Sequence, residues 1–165
     1  MAFSHLIVGL QKGHLIDEIH TLGQTWQFVI RVTPLSNAHT SWVNILHATI
    51  GEDNANYGDR TPAIFFKPQS TVVHICSAVN GNRNFCIDSP TPLPLNVVTQ
   101  IVVRQYLSNG AYLYQVTVAE QDLFSTPVQN NQARSFENVK VYASDPFFNE
   151  APDSAILNAY NYSDP

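Results

Sequence analysis

Apolar and polar positions alternate with a period of two along most of this chain, and helical spacing is almost absent. Trp26, Phe28, Ile30 and Val32 alternate with Gln27, Val29, Arg31 and Thr33 until Pro34 stops the run. Val43, Ile45 and His47 alternate with Asn44, Leu46 and Ala48, and Ala63–Phe66 is a short strand between Pro62 and Pro68. Asn109-Gly110 is a two-residue hairpin signal, because both positions of its turn need φ > 0. It divides residues 95–107 from 111–118 and sets Leu107 opposite Tyr112, Gln105 opposite Tyr114 and Val103 opposite Val116. A further reversal is expected at Glu120-Gln121, ahead of Leu123-Phe124-Ser125. With strands at 6–8, 15–21, 136–143 and 156–162, the count reaches about eleven or twelve. Such a pattern predicts an all-β fold, two antiparallel sheets packed as a sandwich.

Cys76 and Cys86 are the only cysteines and lie equally far from Gly81. A hairpin with a three-residue loop, Asn80-Gly81-Asn82, sets Val79 opposite Arg83, Ser77 opposite Phe85 and Cys76 opposite Cys86. Directly opposed residues come close enough for a cross-strand disulfide. Val73, Ile75, Phe85 and Ile87 share one face of this hairpin, and His74, Cys76 and Asn84 the other. The bridge therefore staples register on the face away from the core.

A disulfide implies an oxidising compartment, hence a secreted protein. Residues 1–10 are too short and too mixed for a signal peptide, so Met1 reads as a start placed on a mature chain. Asn161-Tyr162-Ser163 is a glycosylation sequon that agrees with secretion. Charged residues are 13% of the chain, about half the usual share, with Asn, Gln, Ser and Thr in their place. Strands disfavour Lys and Glu, which accounts for much of this; sugar binders carry the same neutral surface. Net charge is −5, and the only lysines are Lys12, Lys67 and Lys140, so no basic stripe exists for nucleic acid. No apolar run reaches membrane-spanning length. The 165 residues fit one domain, 1–165, without repeat or composition shift. Long connections fall at 51–61, 89–94 and 144–155, the middle one a proline-rich crossover between sheets.

The order of five segments is distinctive: Trp42-Val-Asn-Ile-Leu-His47, Tyr57-Gly-Asp-Arg-Thr-Pro-Ala63, the Asn-Gly hairpin, Phe136 through Val-Lys-Val-Tyr-Ala-Ser-Asp-Pro146, and Ile156-Leu-Asn158. It resembles jelly-roll modules of the concanavalin A-like lectin and laminin-G superfamily, in the form found in extracellular proteins of marine invertebrates. The resemblance covers nearly the whole chain, from about Leu15 to Tyr162. It implies two curved antiparallel sheets whose concave face or rim loops hold glycans, often beside a calcium ion. Many modules of this shape serve adhesion without any sugar.

Two loops carry the candidate chemistry. In residues 51–60, Tyr57 could stack on a pyranose while Asp53, Asn54 and Arg60 take its hydroxyls, with Asp145 and Phe147-Phe148 adding a second platform. Glu52, Asp53 and Asp59, joined by Asp145, offer hard oxygen ligands suited to Ca²⁺, though not in EF-hand spacing. Asp145 with Glu150 and Asp153 is a further acidic set. The competing account is structural: Asp59 and Asp145 organise turns, while Tyr57 and Phe147 pack. Six scattered histidines show no zinc-like spacing, but His47 and His74 could face one another across strands.

Glucanases need carboxylates about 5 Å apart, and Asp17-Glu18, adjacent on one strand, point to opposite faces. No Gly-x-Ser-x-Gly, P-loop or dinucleotide motif occurs. The expectation is a non-catalytic, lectin-like module binding a glycan or glycoprotein through rim loops, with calcium as a candidate cofactor. The alternative is an adhesive or structural module making homotypic contacts, hence a homo-oligomer.

Overall fold

The computed structural model describes residues 4–164. Among them thirteen strands form two antiparallel sheets. In chain order these are β1 Ser4–Gly9, β2 Leu15–Leu22, β3 Trp26–Pro34, β4 Val43–Thr49, β5 Ala63–Phe66 and β6 Val73–Val79. Next come β7 Asn82–Asp88, β8 Thr99–Ser108, β9 Ala111–Val118, β10 Gln121–Asp122 and β11 Val128–Gln129, then β12 Phe136–Tyr142 and β13 Ala155–Ser163. One sheet runs β1-β13-β3-β8-β9-β10, with β11 also on β9; the other runs β2-β12-β4-β5-β6-β7. The two-sheet sandwich read from the alternation is the fold, and its topology is consistent with the jelly roll that the resemblance implies. No strand forms at 123–125; instead β10 and β11, two residues each and too short to show a period, lie on either side of it.

Alternate side chains of both sheets meet in one core. Leu10, Leu22, Phe28, Ile30, Ile45, Phe66, Ile75, Ile101 and Tyr114 are all fully or almost fully buried there. Tyr114 reaches across from β9 to β6, where its hydroxyl shares a 2.8 Å hydrogen bond with Ser77 Oγ. Burial pushes its phenol far above the usual tyrosine range, although the Ser77 bond works the other way. Asp17 turns inward and accepts from Tyr160 Oη at 2.8 Å, while Glu18 is exposed, so these neighbours do fall on opposite faces.

The Asn109-Gly110 turn is as read: both residues hold positive φ, 50° and 77°, and Leu107, Gln105 and Val103 pair with Tyr112, Tyr114 and Val116. The cysteine hairpin needs one correction. Cys76 faces Cys86 and Ser77 faces Phe85, but Val79 pairs with Asn82, not Arg83. The turn is two residues, Asn80-Gly81, both at positive φ, and a bulge in β7 absorbs the extra residue. Asn84 N, bonded to Asn82 Oδ1 at 2.9 Å, sits in that bulge. Similarly, the reversal after β9 is Ala119-Glu120, one residue earlier than read, and β8 begins at Thr99, not Leu95. A bulge between Asn44 and Leu46 breaks the alternation of β4, which is buried on both faces. The disulfide joins Cys76 and Cys86 on the face away from the core.

Residues 89–94 carry the chain from β7 in one sheet to β8 in the other, held by Leu93 N on Thr71 O at 3.0 Å. No helix among the described residues is long and apolar enough to cross a membrane.

Candidate functional site

The outer face of the β4-β5-β6-β7 region is covered by two long loops, and the central strand β4 clamps both. His47, on β4, is fully buried. Its Nε2 lies 2.7 Å from Asp59 O in the first loop, and its Nδ1 lies 2.7 Å from Asp145 Oδ2 in the second. Both oxygens only accept, so both contacts are met when the ring carries two N–H protons. Asn44, one bulge away, accepts from Asp145 N at 2.9 Å. Asp145 completes the second loop's turn by accepting from Phe147 N and Phe148 N, each at 3.1 Å.

Asp59 shapes the first loop in the same way. Its buried carboxylate accepts from Glu52 N, Ala55 N and Asn56 N at 3.1, 2.9 and 2.6 Å. Arg60 then turns back over the sheet: Nη2 donates to Asp53 Oδ1 at 3.0 Å, and Nη1 to Asn84 Oδ1 at 2.8 Å. Its guanidinium lies over the Phe65 ring, 5.0 Å from the centroid.

These clamps leave an open depression of about 280 Å³ beside the disulfide. Phe65 is its floor; Phe148 stands edge-on to Phe65 at 5.1 Å, and Trp42 packs against His74 at 4.8 Å. Arg60, Asn54 and Asn84 supply its polar side. Asn54 Oδ1 is buried with no hydrogen-bond partner. His74 and Lys67 both reach Asp88, at 2.6 and 2.8 Å. Partial burial of Asp88 would raise its carboxyl, but the hydrogen bonds and charges of Lys67 and His74 prevail and hold it below the ordinary value. A second, shallower depression adjoins the first through Asn54 and Asn84, and Tyr57 and Arg83 line it.

The sequence candidates are thus divided. Asn54 and Arg60 line the first depression, and Tyr57 lines the second. Asp53 is paired to Arg60, and Asp145 is fully buried beneath the loops. Phe147 lies edge-on to His47 at 5.7 Å, leaving Phe148 to face the depression. Tyr57 is also a packing residue: it stands 6.0 Å from Phe136, beneath Arg134, and donates to Gln132 O at 2.9 Å. Trp42, Phe65, His74 and Asn84 were not singled out as site residues. Phe65 pairs with His74, and the bulge in β4 is what puts His47 on the same outer face, so strand parity alone does not reveal the group. His47 and His74 do share that face, but the Phe65 ring lies between them, 6.3 Å from each.

His47, Asp53 and Asp145 place ligand atoms within 4.8 Å of one another, a cluster that could coordinate a divalent cation. Its atoms are committed to the protein, however: an ion there competes with His47 for Asp145 and with Arg60 for Asp53. Asp59 spends its oxygens on its own loop, and Glu52 is exposed. The residues present therefore fit a buried, hydrogen-bonded His47–Asp145 pair better than a calcium cage of six to eight oxygens. His74, Cys76 and Cys86 form a second cluster, but its sulfurs are spent in the disulfide.

No protein-family model matches the chain, and no curated protein matches it in sequence. Solved structures do match. A sialidase carbohydrate-binding module from Ruminococcus gnavus, bound to α2,3-sialyllactose, is similar over 94% of this chain and 91% of its own, at TM-score 0.56 and 11% identity. A native heptameric pentraxin from Limulus polyphemus matches over 95% of this chain and 73% of its own, at TM-score 0.53 and 11% identity. The galectin LEC-6 of Caenorhabditis elegans matches over 99% of both chains, at TM-score 0.52 and 10% identity. Identities this low speak for the fold alone, a two-sheet jelly roll shared with these three proteins.

Proposed function

We propose that this protein is a non-catalytic, lectin-like module that binds carbohydrate in the depression bounded by Trp42, Phe65 and Phe148. One observation carries the reading: aromatic rings and amide and guanidinium groups from three strands and the loops over them converge on one open concavity. A pyranose presents an apolar face to rings and a rim of hydroxyls to Arg60, Asn54 and Asn84. Glycan-binding proteins on the same fold, and the narrower resemblance to the concanavalin A-like and laminin-G superfamily, support it. So does the disulfide, which suits secretion. In this reading Asp53, Asp59 and Asp145 position the loops, and calcium is not required.

The test is a glycan array with and without chelator, repeated for Trp42→Ala. The expected result is binding that survives chelation and falls at least about tenfold in the variant, as loss of one stacking wall should cause. A silent array overturns the reading; loss on chelation overturns the metal-free form of it.

The homotypic alternative also has one supporting observation. Leu95, Val97 and Val98 are 40%, 50% and 53% exposed beside the proline-rich crossover, forming an apolar patch. That role predicts an oligomer in sedimentation, which Val98→Asp would dissociate.

A further inference from the structure

Among the described residues, two groups of His, Cys, Asp and Glu come close enough to share an ion. The first, at His47, is closed by its own hydrogen bonds. The second, His74, Cys76 and Cys86, sets an imidazole nitrogen and two sulfurs within 4.8 Å of one another. Nitrogen and sulfur donors suit zinc rather than calcium or magnesium. A single covalent bond, the disulfide, is what withholds the sulfurs.

The imidazole is already held as a zinc ligand would be. Asp88 Oδ1 lies 2.6 Å from His74 Nδ1, and a carboxylate only accepts, so Nδ1 carries the proton. In the neutral ring the lone pair is then on Nε2, which lies 3.2 Å from Cys76 Sγ. Lys67 Nζ, 2.8 Å from Asp88 Oδ2, fixes the carboxylate in turn. A carboxylate behind the histidine sets tautomer and ring orientation at zinc sites, and this one is in place before any metal. His74 and Cys76 are alternate residues of β6, and Cys86 faces Cys76 from β7, so all three project from the outer face of one sheet. Tetrahedral zinc holds two sulfurs about 3.8 Å apart, a separation that facing cysteines reach by rotating their side chains. Cys76 is buried, but His74 and Cys86 are partly exposed, and His74 lines the open depression, which gives an ion a way in.

We infer that this group, once reduced, is a zinc site with His74 Nε2, Cys76 Sγ and Cys86 Sγ as ligands, Asp88 behind the histidine and water in the fourth position. A small dithiol supplies two electrons and two protons, the S–S bond breaks, and the dithiol closes to its own disulfide. Zn²⁺ then displaces one proton from each thiol, and both protons go to solvent. The two sulfurs thus serve either as a covalent staple or as metal ligands, never as both. The sandwich should survive the exchange, because Val73, Ile75 and Val79 of β6 stay packed in the shared core. The inference does not rest on the glycan reading.

The test is a titration with Co²⁺, the spectroscopic stand-in for zinc, of wild-type protein reduced with dithiothreitol and freed of it under nitrogen. The oxidised protein is titrated alongside. The reduced chain should show thiolate-to-cobalt charge-transfer bands that Zn²⁺ abolishes, and Zn²⁺ should raise its Tm. The oxidised chain should show neither effect. His74→Ala and Asp88→Asn should each weaken Co²⁺ binding at least about tenfold, with the far-ultraviolet circular dichroism of the reduced protein unchanged. Reduced wild type without charge-transfer bands overturns the site. So does His74→Ala binding Co²⁺ as tightly as wild type, or a reduced chain that loses its β spectrum with Zn²⁺ present.

Discussion

His47 and Asp145 stand 98 residues apart in sequence and 2.7 Å apart in space, both with no exposed side-chain surface. Together they tie two loops to one strand, because His47 also reaches Asp59 O and Asp145 also bonds Phe147 N and Phe148 N. Removing one partner of a buried pair leaves the other unsatisfied. Asp145→Ala should therefore cost about 3–5 kcal/mol, read as a drop of roughly 10 °C or more in Tm. Asp145→Asn keeps an oxygen for the two backbone donors and can offer N–H to a neutral His47, so it should cost distinctly less. Equal, small effects of the two variants in thermal melts would mean that the pair does not hold the loops.

Asp88 ties the edge of the site to acid stability. Burial works to raise its carboxyl, but Lys67 and His74 lower it overall. A carboxyl that is lower in the folded state contributes stability above its unfolded value, about 3.9, and that contribution fades as pH falls through the folded value. Wild-type protein and Asp88→Asn should therefore differ by a constant Tm gap from pH 7 down to about 5. Below about pH 4 the gap should close. A gap that widened in acid would reverse the assigned sign.

The Cys76–Cys86 bridge closes a short loop on the outer face, next to the proposed site but outside the core. In the chain-entropy model such a loop contributes about 2–3 kcal/mol. Cys76→Ser with Cys86→Ser should then lower Tm by roughly 5–10 °C and leave the fold intact. Circular dichroism decides the point: complete unfolding at 25 °C would show that the bridge, not the shared core, sustains this sheet.

The fold was legible because alternation and turn chemistry are local. Asn109-Gly110 announced its own geometry, and the cysteine spacing set Cys76 opposite Cys86. The bulges in β4 and β7 were not legible, since a period of two carries no mark of an inserted residue. The site was legible only in part, for a different reason. Asn54, Tyr57 and Arg60 stand in a conspicuously polar loop, but Phe65 and His74 read as ordinary strand residues. What exposes them to a cavity is where the second loop lands, through Asp145 on Asn44, 101 residues away. That contact has no local signature. Asp145 read both as a rim ligand and as a turn organiser; its bonds to Phe147 N and Phe148 N match the second reading, and its complete burial was not visible in the sequence.

Gly58 couples the first loop to the sheet beneath it. It holds φ +111°, and a Cβ there would lie 2.6 Å from Phe136 Cδ1 and press on Cε1 as well. The same Phe136 ring packs on Tyr57, which lines the shallower depression. Gly58→Ala must therefore both strain the backbone and displace an aromatic pair, for a cost of about 2–4 kcal/mol. Because Phe136 begins β12 and pairs with Leu22, the displacement should reach the β2–β12 ladder. Amide hydrogen exchange should show lost protection at the start of β12 and in residues 51–60, with β8 and β9 unchanged. If Phe136→Ala is then added, the steric part of the Gly58→Ala cost should vanish, and the double variant should be more stable than the sum of the two single losses. Strict additivity would mean that the ring does not meet the loop at Gly58.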